Sequence, residues 1–344
     1  MNNRKIRSAV LGGLISLCFV GLLLKRVNLF DTWQTLRSID ARLLILPLLI
    51  AAPNYLLRAL RWQLIFPRQA RPGFWLTFRT FAIGTGSNNF VPGRAGDVAR
   101  CVLISHDSSL AGSSLALATL AIEKVLDGLA LLAIVLLAGV YLSPPNWLVK
   151  LEIAAMFVFG GALAVMYAIR FKTEWFLSRV QDMLAAVHLG SWAKKATALF
   201  GSFNAGLHAV SSIAQMLCLT AITALIWITE AGLVWAIAKT LRLPLSLPYS
   251  MVVAAVLGLG LMIPAGPASI GTYEFFVVAA MGLAGIASGS ALAYAVLLHA
   301  WVFVTTSIVG LACLAWAGLT LRQLTREEDS WADRAASAAA RQAK

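Results

Sequence analysis

Long apolar runs separated by short polar clusters dominate the chain, and their lengths predict helices that cross a membrane. Six runs are long enough to span: about Ser8–Leu24, Leu43–Leu60, Leu115–Leu142, Glu152–Ile169, Ile213–Ala238 and Leu292–Leu321. Two further apolar regions, Phe74–Ile104 and Tyr249–Met281, are interrupted by proline, glycine and charged residues and predict broken helices. Asn28–Arg42, with Trp33, suits an interfacial connection. Residues 172–208 alternate apolar and polar positions at roughly helical spacing and suit an amphipathic cytoplasmic segment. The expected organisation is one transmembrane domain, residues 1–321, in halves of about 1–145 and 146–321, with a cytoplasmic tail at 322–344. The fold class expected is an all-α integral membrane bundle: about six spans plus two broken re-entrant hairpins, arranged as an inverted repeat.

Composition supports the membrane reading. Hydrophobic residues make up 60% and charged residues 12% of 344 positions, about half the charge of an ordinary soluble domain. The net charge of +13 would raise nucleic acid as a partner in a soluble protein. Here the basic residues flank apolar runs, where they set topology and meet anionic headgroups, so no nucleic acid is expected. Arg58, Arg61, Arg68, Arg71 and Arg79 fall in an acid-free stretch and place residues 61–79 on the cytoplasmic side, with both termini. The N-terminal run ends at Lys25-Arg26 without a small-x-small cleavage site and reads as an uncleaved first helix. Cys18, Cys101, Cys218 and Cys313 are far apart and form no metal or disulfide pattern; no metal and no cofactor are expected.

The chemistry concentrates in the broken regions. In the first, Asn88 and Asn89 precede Pro92, Gly93, Arg94, Gly96, Asp97 and Arg100. Irregular backbone and charge at membrane depth survive only where protein covers them or a wet cavity receives them. In the second, Gly266 and Gly271 lead to Tyr273 and Glu274. The spacing Pro92-x-x-x-Gly96 is echoed by Pro267-x-x-x-Gly271. Interrupted segments in corresponding halves point to a transporter with its site between the repeats. Half-helix N-termini hold anions, the glycines let a headgroup approach, and Arg58, Arg61, Arg94 and Arg100 suit a lipid phosphate. The alternative is that Arg94, Asp97 and Arg100 form an internal ion-pair knot.

Further charges sit inside the long runs. Glu123 and Asp127 share a helix face, and Lys124 is spaced to pair with Asp127. They are either an internally satisfied cluster or a polar wall linked to proton movement. Glu230, between Trp227 and Trp235, is a lone acid expected to face the bundle interior with a partner. His299 lies beside Trp301 in the last run and joins this polar path.

The segments FVPGRAGDVAR, AIEKVLDG and IPAGPASIGTYEF, in that order, resemble the lysylphosphatidylglycerol synthase transmembrane region, a flippase-like family of integral membrane proteins. The resemblance covers roughly residues 5–320. It implies a bacterial inner-membrane protein that handles lipids, with Pro92, Gly93, Arg94, Gly96, Asp97 and Arg100 on the first signature. Glu123 and Asp127 fall on an acidic helix signature, and Pro267, Gly271 and Glu274 on the second. Asp97 stands where the family is expected to prefer Glu, and the tail after Leu321 is too short for a soluble aminoacyl-transfer domain.

These readings converge on a transporter moving a polar or phosphate-bearing lipid between leaflets. The partners expected are an anionic phospholipid or a polyprenyl-linked or hopanoid-type lipid, with a homo-oligomer or a lipid-modifying enzyme as further associates. The rival readings are an intramembrane transferase or hydrolase acting on a lipid-linked substrate, and a non-catalytic partner of a lipid-modifying enzyme. Neither GxSxG nor HExxH occurs to support catalysis, and His106, His188, His208 and His299 are scattered.

Overall fold

The computed structural model describes residues 17–23, 27–91, 95–108, 112–141, 145–171, 174–175, 178–179, 182–183, 212–263 and 266–318. Among these residues, beyond a helical stretch at 17–23, ten α-helices with defined bounds follow in order. They are α1 (Leu29–Arg37), α2 (Ile45–Ile65), α3 (Phe74–Ser87), α4 (Ala95–Asp107) and α5 (Ser113–Tyr141). After these come α6 (Asn146–Phe171), α7 (Ile213–Thr240), α8 (Leu247–Gly260), α9 (Thr272–Leu283) and α10 (Ser288–Trp316). No strand occurs among the described residues. The all-α membrane bundle expected from the apolar runs is the observed architecture.

Among the described residues, four helical segments are long and apolar enough to cross a membrane: Ala41–Ile65, Asn146–Ala168, Ile213–Thr240 and Ser288–Trp316. That is fewer than the six expected. The first expected span lies mostly outside the described residues. The other, α5, has 29 residues but carries Glu123, Lys124 and Asp127 within its apolar run. The amphipathic segment 172–208, apart from six isolated positions, and the tail 322–344 also lie outside the described residues.

Local chemistry explains the element ends. Asn28 caps α1 by accepting from the Phe30 N–H at 3.0 Å, and Ser212 caps α7 by accepting from the Gln215 N–H at 3.1 Å. Pro53 lies inside α2. It removes one backbone hydrogen bond on an exposed face of the helix, which continues through it. The sequence suggested that α2 ends near Leu60; it continues to Ile65. Arg58 and Arg61 therefore lie within the helix rather than at its exit.

Both interrupted regions are broken as expected. α3 and α4 pack on each other, as do α8 and α9. These arms have 14, 13, 14 and 12 residues, at most about 21 Å at 1.5 Å per residue, short of a hydrocarbon core of about 30 Å. Close approach depends on glycine. A Cβ on Gly84 would meet the Gly96 carbonyl at 2.6 Å, and one on Gly86 would meet the Thr306 carbonyl at 2.8 Å.

The packing has a repeating order. α2 packs on α7; α3 packs on α10 as α8 packs on α5; α1 packs on α10 as α6 packs on α5. The main apolar core lies among α5, α7, α8, α9 and α10, around Val253, Val256, Val277, Tyr294 and Leu298.

Candidate functional site

Most of the charged residues predicted from sequence converge between the two broken elements. A cavity of about 300 Å³ is lined by Asn88, Asn89, Asp97 and Arg100 from the first and by Ala268, Ser269 and Tyr273 from the second. Arg58, Glu123, Lys124, Glu230 and His299 complete its polar wall. A smaller cavity of about 180 Å³ shares Arg58, Lys124, Glu230, Leu261 and Tyr273 with it and adds Asp127 and Trp227.

Every cation here is paired, and the pairs differ in exposure. Arg61 grips Asp127 through two hydrogen bonds of 2.6 and 2.9 Å and is wholly buried. Arg100 donates to Glu123 at 2.8 Å and lies 3.7 Å from Asp97. Its guanidinium stacks over Trp62 at 4.5 Å and Phe81 at 5.1 Å. Arg100 Nη1 and Glu123 Oε2 find no hydrogen-bond partner, which marks the pair as incompletely satisfied. Arg58 donates to Glu230 at 2.9 Å, and Lys124 lies 2.9 Å from Asp97. The Lys124 side chain is 37% exposed, against 22% for Arg58 and 1% for Arg100.

This arrangement resolves several sequence expectations. Lys124, spaced to pair with Asp127, pairs instead with Asp97 across the α4–α5 contact, because Arg61 occupies Asp127. Glu123 and Asp127 do share a buried face, each held by an arginine from another helix. Glu230 has the expected partner, Arg58. Arg61 lines neither cavity. Pro92, Gly93 and Arg94 lie outside the described residues, so the proposed knot is seen only through Asp97 and Arg100.

The second broken element is held differently. Gly271, at φ 86°, precedes α9, and its N–H donates to Glu274 Oε2 at 2.7 Å. The other carboxylate oxygen accepts from His299 Nδ1 at 2.6 Å, and the His299 ring stacks on Tyr273 with centroids 4.2 Å apart. Ala268 and Ser269 sit at φ 54° and 57°, in the left-handed region that non-glycine residues seldom occupy. Such backbone persists where its surroundings hold it and clusters at ligand sites. Gly266 is buried at the start of this turn.

Sequence reasoning missed Asn54, Tyr55 and Thr306, which also line the larger cavity. Asn54 accepts from Arg58 Nε at 2.8 Å and donates to Thr229 at 2.8 Å and Glu230 at 3.3 Å. Its spacing of four from Arg58 on one helix was the available signal. Asn89 Nδ2 donates to the Phe303 carbonyl, Thr306 and Ser307 of α10 at 3.1, 2.8 and 2.8 Å. It fixes the first tip to α10, a role its position in the sequence did not reveal.

An apolar helical bundle around a charged internal chamber defines an integral membrane protein with a polar site. The family described as the lysylphosphatidylglycerol synthase TM region matches residues 9–310, and the chain belongs to it. It is therefore a membrane protein of a lipid-related family. No curated protein and no solved structure matches the chain.

Proposed function

We propose that the chain is a lipid transporter of the bacterial inner membrane that moves a phosphate-bearing lipid between leaflets, its headgroup passing through the larger cavity. The observation that carries this reading is the meeting of both broken elements around one charged space. The two α-helical hairpins enter from opposite faces as an inverted repeat, with both termini cytoplasmic; arms too short to span support this. About 300 Å³ lies at the small end of ligand pockets, suiting a headgroup whose acyl chains stay in the bilayer.

Charge balance refines the substrate. The cavity-lining cations Arg58, Arg100 and Lys124 are matched by Asp97, Glu123 and Glu230. A bare anion gains little from such a neutral site, whereas a headgroup carrying both phosphate and amine exchanges one ion pair for two. Lys124 and Arg58, the more exposed cations, take the phosphate, and Asp97 and Glu230 take the amine. Arg100–Glu123 and Arg61–Asp127 form the fixed frame. Glu274 and His299 shape the second tip, and Arg94 supplies a further cation at the first.

The test is leaflet-resolved transport of a fluorescent aminophospholipid in vesicles carrying the purified chain. Wild type accelerates exchange, and Lys124→Gln and Glu230→Gln each reduce it at least tenfold. Unchanged rates in both variants refute the site. Formation of a new lipid product by the purified chain would favour the transferase or hydrolase reading instead.

A further inference from the structure

The charged groups lining the larger cavity answer one another, except at His299. Arg58 meets Glu230, Arg100 meets Glu123 and Lys124 meets Asp97, so these cations and carboxylates cancel. His299 lines the same cavity from α10 and holds Glu274 instead, at 2.6 Å. No Lys or Arg pairs with Glu274 among the described residues. Its negative charge is therefore left over while the imidazole is neutral.

Local structure keeps that charge tolerable. Glu274 lies in the first turn of α9, where the helix dipole favours an anion. One carboxylate oxygen accepts from the Gly271 N–H and the other from His299 Nδ1. A histidine held through Nδ1 has Nε2 free to take a proton. Here Nε2 makes no hydrogen bond among the described residues, and the ring lines the cavity. The ring also stacks on Tyr273, an aromatic face that accommodates a cation.

Protonation of His299 changes what the cavity admits. With the imidazole neutral, the walls and Glu274 together carry one excess negative charge, which repels a phosphate. With the imidazolium they are balanced, and Nε2–H becomes a charged donor toward a phosphate oxygen. The ionisable groups that share the space are Tyr273 and Glu274 of α9, Tyr55 and Arg58 of α2, Glu230 of α7, Asp97 and Arg100 of α4, and Glu123 and Lys124 of α5. α1 and α3 also pack on α10 but line the cavity with no ionisable group. The Glu274 carboxylate, through the Gly271 N–H, also fastens the ring to the second tip, whose Ala268 and Ser269 line the cavity in left-handed conformations. A proton on His299 thus acts on the backbone that a headgroup meets.

We propose that His299, backed by Glu274, is a proton-binding site, and that a phosphate-bearing headgroup enters the larger cavity together with one proton held on His299 Nε2. The proton comes from cavity water, and no other bond forms or breaks. Lipid movement is then coupled to proton movement, one for one. The identity of the ligand rests on the lipid-transport reading.

The experiment is titration calorimetry of the full chain in detergent micelles with dihexanoyl phosphatidylethanolamine, in two buffers of different ionisation enthalpy at about pH 7.5, where histidine can change charge. The phosphodiester and amine of this lipid do not titrate there, so uptake reports on the protein. Wild type should take up about one proton per lipid bound, and its affinity should fall toward tenfold for each unit rise in pH. His299→Asn keeps an amide donor toward Glu274 and should bind about tenfold more weakly, without uptake. Glu274→Gln balances the walls without a proton and should bind with no uptake and with an affinity that no longer follows pH. Binding by wild type with equal heats in both buffers, or uptake that persists in His299→Asn, overturns the proton site and leaves the lipid reading standing. No binding by wild type in either buffer removes the lipid reading and the coupling with it.

Discussion

Replacing Arg61 and Asp127 separately and together tests the division of the charged network into frame and site. Arg61 is 0% exposed and bound to Asp127 by two short hydrogen bonds. At an effective dielectric constant of about 20, opposite charges about 2.9 Å apart attract by roughly 6 kcal/mol. Much of this attraction offsets the cost of removing both charges from water. Arg61→Leu leaves Asp127 short of its buried partner, and Asp127→Leu strands a wholly buried guanidinium. Each single change should cost about 3–5 kcal/mol. The double replacement should cost clearly less than the sum, giving a coupling of about 2 kcal/mol or more. Reversible unfolding in detergent micelles, followed by circular dichroism against a graded denaturing detergent, reads all three. Additive single effects, or singles each below about 1 kcal/mol, would refute the account of this pair as a buried frame.

Other outcomes follow from the same geometry. Lys124→Gln should leave stability within about 1 kcal/mol, since its pair is partly exposed, while transport falls at least tenfold; detergent unfolding and vesicle transport measured on one preparation check both. Gly96→Ala places a methyl group against the Gly84 carbonyl and should destabilise by about 1–3 kcal/mol, read as a lowered unfolding midpoint with Gly21→Ala, whose added Cβ meets nothing within 4 Å, as control. Asn89→Leu removes three hydrogen bonds to α10 and should cost about 2–3 kcal/mol, with faster hydrogen exchange confined to the first tip and the facing turn of α10. Glu274→Gln weakens the bonds to His299 and the Gly271 N–H and should alter hydrogen exchange at 266–275 while leaving α3 and α4 unchanged.

The fold was legible because a membrane imposes one rule on every segment. Apolar runs must be helical, and breaks within them must be covered. Thus the ends of α3 and α8 could be read from Asn88-Asn89 and from the Pro264–Gly271 region before any geometry was known. Pairing was less legible. Local spacing suggested Lys124 with Asp127, yet Asp127 belongs to Arg61, a residue remote in sequence whose approach depends on how α2 crosses α5. Likewise α2 continues past Leu60 because Arg61, Trp62 and Ile65 face inward, and inward facing cannot be judged from one helix alone. The cross-helix partners of Asn54 on α7 and of Asn89 on α10 were invisible for the same reason: an amide in an apolar run signals a partner without naming it.

The most direct measurement is a density map of the full chain purified with its native lipids. The account predicts headgroup density in the larger cavity, with phosphate beside Lys124 and Arg58 and acyl chains leaving toward the bilayer. A map with that cavity filled by side chains or ordered water alone, and lipid confined to the outer surface of the bundle, would contradict it.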